Sequence, residues 1–124
     1  MSGLEGQITF CGCTDLARTS AFYEDALGLP LAVDQGKCRI YLAAKGAYLG
    51  FCEHIEPSPD GLILTLVAAD VEERHRRLVE RGIPVEGEPV HSEEFAITHF
   101  FLRDPDGHRV EVQRFDDPDW GTIC

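Results

Sequence analysis

The chain has 124 residues, of which 44% are apolar, and a formal net charge of −11 at pH 7. That length fits one compact unit or two tightly joined halves, and the apolar share is enough for a core. So acidic a surface repels phosphate backbones and anionic lipid, which excludes nucleic-acid and membrane partners from the expectation, and no run of about 18 apolar residues offers a bilayer span.

The opening Met-Ser-Gly-Leu-Glu-Gly has no basic stretch leading into an apolar one, so no export signal is read and a cytoplasmic location is expected. The cysteines, Cys11, Cys13, Cys38, Cys52 and Cys124, are odd in number and irregular in spacing. That is a poor disulfide framework, and reduced thiols are expected. Cys11 and Cys13 lack a second pair at zinc-ligand spacing and read as small apolar residues on a strand.

In chain order, a strand near Ile8 precedes a helix predicted over 15–27. Thr14 is the expected N-cap with Asp15 in the first turn, and Leu16, Phe22, Tyr23, Ala26 and Leu27 form one apolar face. Gly28 ends the helix and Pro30 prevents its resumption. Strands are predicted over 31–34, 37–42 and 47–53, and a stretch with two prolines, 54–60, reads as a linker. A second strand and helix follow. The helix, over 71–81, turns Val71, Leu78 and Val79 inward and solvates Glu72, Glu73, Arg74, Arg76 and Arg77. Strands are then predicted over 83–86, 96–103 and 109–115, with 87–94 as a loop and candidate lid.

Residues 8–28 and 63–82 repeat one pattern: apolar strand, short turn with an Asp, amphipathic helix stopped by Gly. Asp15 and Asp70 are equivalent. The expected architecture is therefore an α+β fold of two βαβββ modules, residues 1–53 and 61–115, with the linker 54–60 and a C-terminal tail 116–124. One helix covers one face of each four-stranded sheet. The two uncovered faces are expected to curl together into one trough, a curved mixed sheet around a central cavity with the helices outside.

The stretch Asp104-Pro105-Asp106-Gly107 predicts a type I turn closed by a one-residue bulge. In that register Leu102 faces Val110 and Phe100 faces Val112 on the helix side. His99, Phe101 and Arg103 lie opposite Gln113, Glu111 and Arg109 on the open side.

The segment from Phe101 to Val112, FLRDPDGHRVEV, resembles the closing hairpin of the vicinal-oxygen-chelate superfamily of glyoxalases, bleomycin-resistance proteins and extradiol dioxygenases. Thr14-Asp15-Leu16, Ala21-Phe22-Tyr23 and Leu27-Gly28-Leu29 resemble its first helix, and the likeness covers residues 7–115. It implies frequent homodimers, and a homodimer is expected. It also implies, in metal-dependent members, four ligands on the first and last strands of each module, holding a divalent ion that acts as a Lewis acid. Those positions fall on Ile8, Gly50, Ile63 and Glu111, and only Glu111 is of ligand type. Shifting by one residue offers Gln7 but leaves Leu62 in the second module. No cofactor is therefore expected, the alternative being a divalent metal held by Glu111 and His99.

Glu111 and His99 are the candidate catalytic residues. A carboxylate facing the cavity serves as general base or ligand anchor, or else is a structural partner of an arginine. A neutral imidazole beside it serves as acid, base or hydrogen-bonding group, or else is an ordinary strand histidine. If Cys38, Ile40 and Leu42 face the helix, Arg39 and Tyr41 face the cavity, where Arg39 could clamp a carboxylate or enolate. Cys52 shares the face of Gly50, as an activated or an inert thiol. Thr65, Phe101 and Gln113 complete the candidate ligand-binding set. His54, His75, His91 and His108 are expected to be exposed, and Trp120 either folds back or meets a partner. The function read from these residues is binding of a small, largely apolar molecule without the usual metal. The alternatives are an enzyme, whether a metal-dependent lyase, isomerase or dioxygenase or a metal-free acid–base catalyst using Glu111 and His99, and a structural dimer with a vestigial cavity.

Overall fold

In the computed structural model, which describes residues 2–120, β1 (Gln7–Gly12) leads into α1 (Leu16–Ser20), and the helix continues without a break as a π-helical stretch, Ala21–Ala26. Strands β2 (Leu31–Asp34), β3 (Cys38–Ala44) and β4 (Ala47–Cys52) complete the first module. The second contains β5 (Ile63–Val67), α2 (Val71–Glu80), β6 (Val90–Ser92), β7 (Ile97–Arg103) and β8 (Arg109–Phe115). The sheet orders, β1-β4-β3-β2 and β5-β8-β7-β6, are identical, with the outer first strand parallel to its neighbour and the other pairs antiparallel. The fold is α+β, two copies of one βαβββ module. The chain separates into two units, Ser2–Leu62 with Asp104–His108, and Ile63–Arg103 with Arg109 onward. Among the described residues no helix is long and apolar enough to cross a membrane.

Asp15, not Thr14, caps the first helix: its carboxylate accepts from the Ala17 amide at 2.9 Å. Thr14 is drawn elsewhere, its hydroxyl donating to Asp106 Oδ1 at 2.7 Å. The helix widens where Leu27 N donates to Phe22 O, and Gly28 then turns the chain at φ 75°. Tyr23 stacks on Phe51 at 4.2 Å between ring centres, with Phe22 edge-on to it, and these aromatics join helix to sheet.

The register Arg39↔Phe51 and Tyr41↔Leu49 puts Arg39 and Tyr41 on the helix side. This reverses the expected parity of β3. Tyr41 is fully buried, and its hydroxyl donates to Ser20 Oγ at 2.7 Å, as does the Arg39 guanidinium. Alternation favoured the more apolar set, Cys38, Ile40 and Leu42, for the helix side; the structure instead puts there the set whose polar ends find a partner at Ser20 and whose Tyr41 ring meets Tyr23 and Phe51. Cys38, Ile40, Gly50 and Cys52 share the opposite face.

In the second module Leu64, Phe100, Leu102, Val110 and Val112 are buried, as are Val71, His75 and Leu78 of α2. His75 is not exposed: its ring meets Phe100 edge-on at 5.0 Å, and Nε2 lies 2.8 Å from the Gly87 carbonyl. The helix ends at Arg81 with Gly82 at φ 74° and Ile83 N bonded to Leu78 O, a Schellman closure. The strand predicted over 83–86 is absent. Pro84 has no amide to offer a ladder, and Glu86 N bonds Phe101 O at 2.8 Å. The edge strand is instead Val90–Ser92, inside the predicted lid, paired Val90↔His99.

The turn after β7 has the expected geometry, with Gly107 at φ 89° and Asp104 N donating to His108 O. It packs within the first unit. Asp104 Oδ2 accepts from the Tyr23 hydroxyl at 2.8 Å and sits 2.9 Å from His108 Nδ1. His108, expected in solvent, is therefore buried. His91 is exposed as expected, and its Nδ1 lies 2.8 Å from Asp116 Oδ2. Trp120 folds back and stacks on Phe115 at 4.5 Å.

Candidate functional site

The helix covers one face of the second sheet, and the other carries chemistry. Alternation along β7 and β8 directs His99, Phe101, Arg109, Glu111 and Gln113 to the uncovered face, paired His99↔Gln113 and Phe101↔Glu111. Thr65 of β5 lies opposite Glu111 on its other flank.

Glu111 is 8% exposed, so its carboxylate needs partners, and it has two. Thr65 Oγ1 donates to Oε1 at 2.8 Å, and His99 Nδ1 lies 2.6 Å from Oε2. An ionised carboxylate only accepts, so Nδ1 is the donor of this bond and Nε2 is the ring nitrogen left outside it. The His99 ring meets Phe101 edge-on at 5.1 Å. The Arg109 guanidinium carbon stands 3.7 Å above the centre of the Phe101 ring, close enough for a cation–π contact. Ile63, Val67 and Val90 are about half exposed on the same face.

Arg109 is the residue that the sequence reading left out of the site. The signal was present: it is two residues before Glu111, hence on the same face, and the hairpin register sets it directly opposite Arg103. Two like charges across a ladder require an anion nearby. Glu86 supplies one, 3.6 Å from Arg103 Nε and 3.8 Å from Arg109 Nη2. Arg109 Nε is buried without a hydrogen-bond partner.

The remaining sequence candidates are not on this face. Arg39 and Tyr41 point to α1, as described. Cys52 does share the face of Gly50, but it is not a free thiol: it is disulfide-bonded to Cys38. The expectation of reduced thiols is overturned at this pair, which the register of β3 on β4 sets directly opposite each other. Cys11 and Cys13 are free and buried, and Cys124 lies outside the described residues.

On the first module, Gly50 offers no side chain, and a Cβ there would lie 2.5 Å from the Phe10 ring. Ile8 and Phe10 are partly exposed on that face. In the second, Ile63 stands at the position matching Ile8.

A family model described as the Glyoxalase/Bleomycin resistance protein/Dioxygenase superfamily matches residues 8–112. The uncharacterized protein YraH of Bacillus subtilis (strain 168) is 24% identical over 115 residues, covering 81% of this chain and 90% of the relative. Among solved structures, a lactoylglutathione lyase from Agrobacterium tumefaciens superposes with a TM-score of 0.76 at 22% identity over 98% of each chain. A glyoxalase/bleomycin resistance protein/dioxygenase from Nocardioides superposes with a TM-score of 0.74 at 16% identity, covering 95% of this chain and 87% of that one. At these identities the structural likeness shows the fold.

Proposed function

The chain belongs to the glyoxalase/bleomycin resistance protein/dioxygenase superfamily, and from that membership we propose that it binds a small, flat, partly apolar molecule on the uncovered face of the second sheet. The carrying observation is the assembly of Glu111, His99 and Thr65 beside the Arg109–Phe101 stack, edged by exposed Ile63 and Val67. A head group able to donate and accept would bond to the Glu111–His99 pair. The flat body would lie along Phe101 and the aliphatic edge, with Arg109 favouring an acidic substituent.

The four positions at which the superfamily holds its divalent ion do not fit one here. Ile8, Ile63 and Gly50 bring no donor atom, Phe10 covers Gly50, and Glu111 alone is of ligand type. This donor chemistry supports a reading without the family metal. A homodimer and a cytoplasmic location belong to the same proposal. Light scattering tests the first and fractionation the second.

Titration with a panel of aromatic carboxylates, phenols and heteroaromatic amines, followed by thermal shift and ligand-observed NMR, tests the binding. Saturable binding weakened at least about tenfold by Glu111→Gln or Arg109→Ala is expected, a loss of about 1.4 kcal/mol. Binding indifferent to both substitutions would overturn it.

One observation favours catalysis as a second reading. A carboxylate that holds imidazole Nδ1 at 2.6 Å orients Nε2 as a proton acceptor. In that case a bound ligand would exchange an acidic C–H proton with solvent deuterium, and His99→Ala would stop the exchange while leaving binding measurable.

A further inference from the structure

Cys38 opens β3 and Cys52 closes β4, and the antiparallel register sets them face to face. The chain then turns back at once. Ile55 N donates to Cys52 O, Glu53 N to Lys37 O, and Cys13 N to the same Cys52 carbonyl. This return brings the His54 ring over the pair, with Nδ1 3.9 Å from Cys38 Sγ. The two sulfurs and a ring nitrogen of His54 all lie within 4.8 Å of one another. Both cysteines are buried, whereas the histidine is exposed and leaves the cluster open on one side.

The backbone beneath the cluster is closely packed. Gly12 runs so close to the 55–56 backbone that a Cβ would stand 2.2 Å from the Ile55 carbonyl oxygen. Ladder bonds hold β3 and β4 on either side.

We propose that Cys38, Cys52 and His54 form a redox-gated site for a thiophilic ion of the Zn²⁺ class. The dithiol form binds the ion through two thiolates and one imidazole, with the fourth position open toward solvent; the disulfide form does not bind it. Two sulfurs and one nitrogen suit zinc and exclude hard cations, which prefer oxygen.

The gate is thiol–disulfide exchange with a dithiol reductant. A reductant thiolate attacks one sulfur of the Cys38–Cys52 bond, which breaks as the mixed disulfide forms. The reductant's second thiol then displaces the remaining cysteine. The protein gains two electrons and two protons, and the reductant leaves as its own disulfide. Metal binding next releases the two thiol protons to solvent. Cys11 and Cys13 are buried and lie outside the cluster. The site lies in the first module and owes nothing to the Glu111–His99 face.

The test uses the 124-residue chain carrying Cys124→Ser, reduced with a phosphine under anaerobic conditions and titrated with Co²⁺ as a spectroscopic stand-in for Zn²⁺. Stoichiometric binding with sulfur-to-cobalt charge-transfer bands, displaced by Zn²⁺, is expected. Cys38→Ser and Cys52→Ser should lose those bands, and His54→Ala should bind at least about tenfold more weakly. Cys11→Ser and Cys13→Ser should retain them. The Cys38→Ala/Cys52→Ala double variant keeps an apolar strand pair and provides a folded control by circular dichroism. Absence of thiolate bands in the reduced protein would overturn the proposal. So would bands that survive loss of Cys38 and Cys52, or equal binding by the disulfide form.

Discussion

His99 and Glu111 meet on the diagonal of their sheet. The register sets His99 against Gln113 and Glu111 against Phe101, yet Nδ1 and Oε2 stand 2.6 Å apart. The two side chains lean toward each other along the strands, and Thr65 holds the second carboxylate oxygen from the far side at 2.8 Å. The pair is thus held in place before any ligand arrives.

That relationship makes His99 structural as well as chemical. His99→Ala should leave a mostly buried carboxylate with one side-chain partner and destabilise the protein by about 1–3 kcal/mol in urea unfolding. Glu111→Gln, which can still accept from Thr65, should cost less. Equal stability of His99→Ala and the parent would show the pair to be energetically idle.

Asp104 anchors the 104–108 turn within the first unit. Its carboxylate takes the Tyr23 hydroxyl, the His108 ring, and the amides of Asp106 and His108. Tyr23→Phe removes one charged hydrogen bond and should cost about 1.5–3 kcal/mol. Asp104→Ala strips every partner at once and should cost more, about 3–5 kcal/mol. Chemical denaturation of both variants reads the ranking.

Alkaline pH should weaken the fold through the same region. Burial, and secondarily the charge of Asp104, push the Cys11 thiol from 9.0 up to about 11 and raise Tyr23 well above the ordinary phenol range. Both folded-state values are raised. Their contribution is therefore fully present below the unfolded thiol value of 9.0 and is lost as pH climbs through the folded values. The urea midpoint should fall above pH 9.0, and Cys11→Ala should flatten the decline.

The Cys38–Cys52 bond closes a short loop, with a sequence separation of 14. Reducing it should lower stability by about 3 kcal/mol through the freed unfolded chain. Differential scanning calorimetry with and without phosphine, compared with the double alanine variant, measures this. The variant should be insensitive to reductant.

Gly12→Ala should be poorly tolerated, since its Cβ would enter the backbone of Ile55 and Glu56 at 2.2–2.4 Å. A loss of about 1–3 kcal/mol is expected from overpacking against main chain that cannot rotate away. Thermal melts of this variant beside Gly36→Ala, which meets nothing within 4 Å, separate the clash from backbone strain, Gly36 itself holding φ 85°.

The duplicated module, the closing hairpin and the shared sheet face of Glu111, His99 and Phe101 were legible in the sequence because each rests on local rules. A repeat needs only self-similarity, Asp-Pro-Asp-Gly sets its own turn, and a known turn fixes which residues face each other. The tertiary structure decided what local rules leave degenerate. Alternation on β3 favoured Cys38, Ile40 and Leu42 for the core, whereas Tyr41 and Arg39 turn to the helix, where Ser20 accepts from both. His75 and His108 read as solvent residues until Gly87 and Asp104 supplied buried partners from elsewhere in the chain. Cys38 and Cys52 showed no useful spacing, because a disulfide depends on distance in space, and only the register of β3 on β4 brought the sulfurs together.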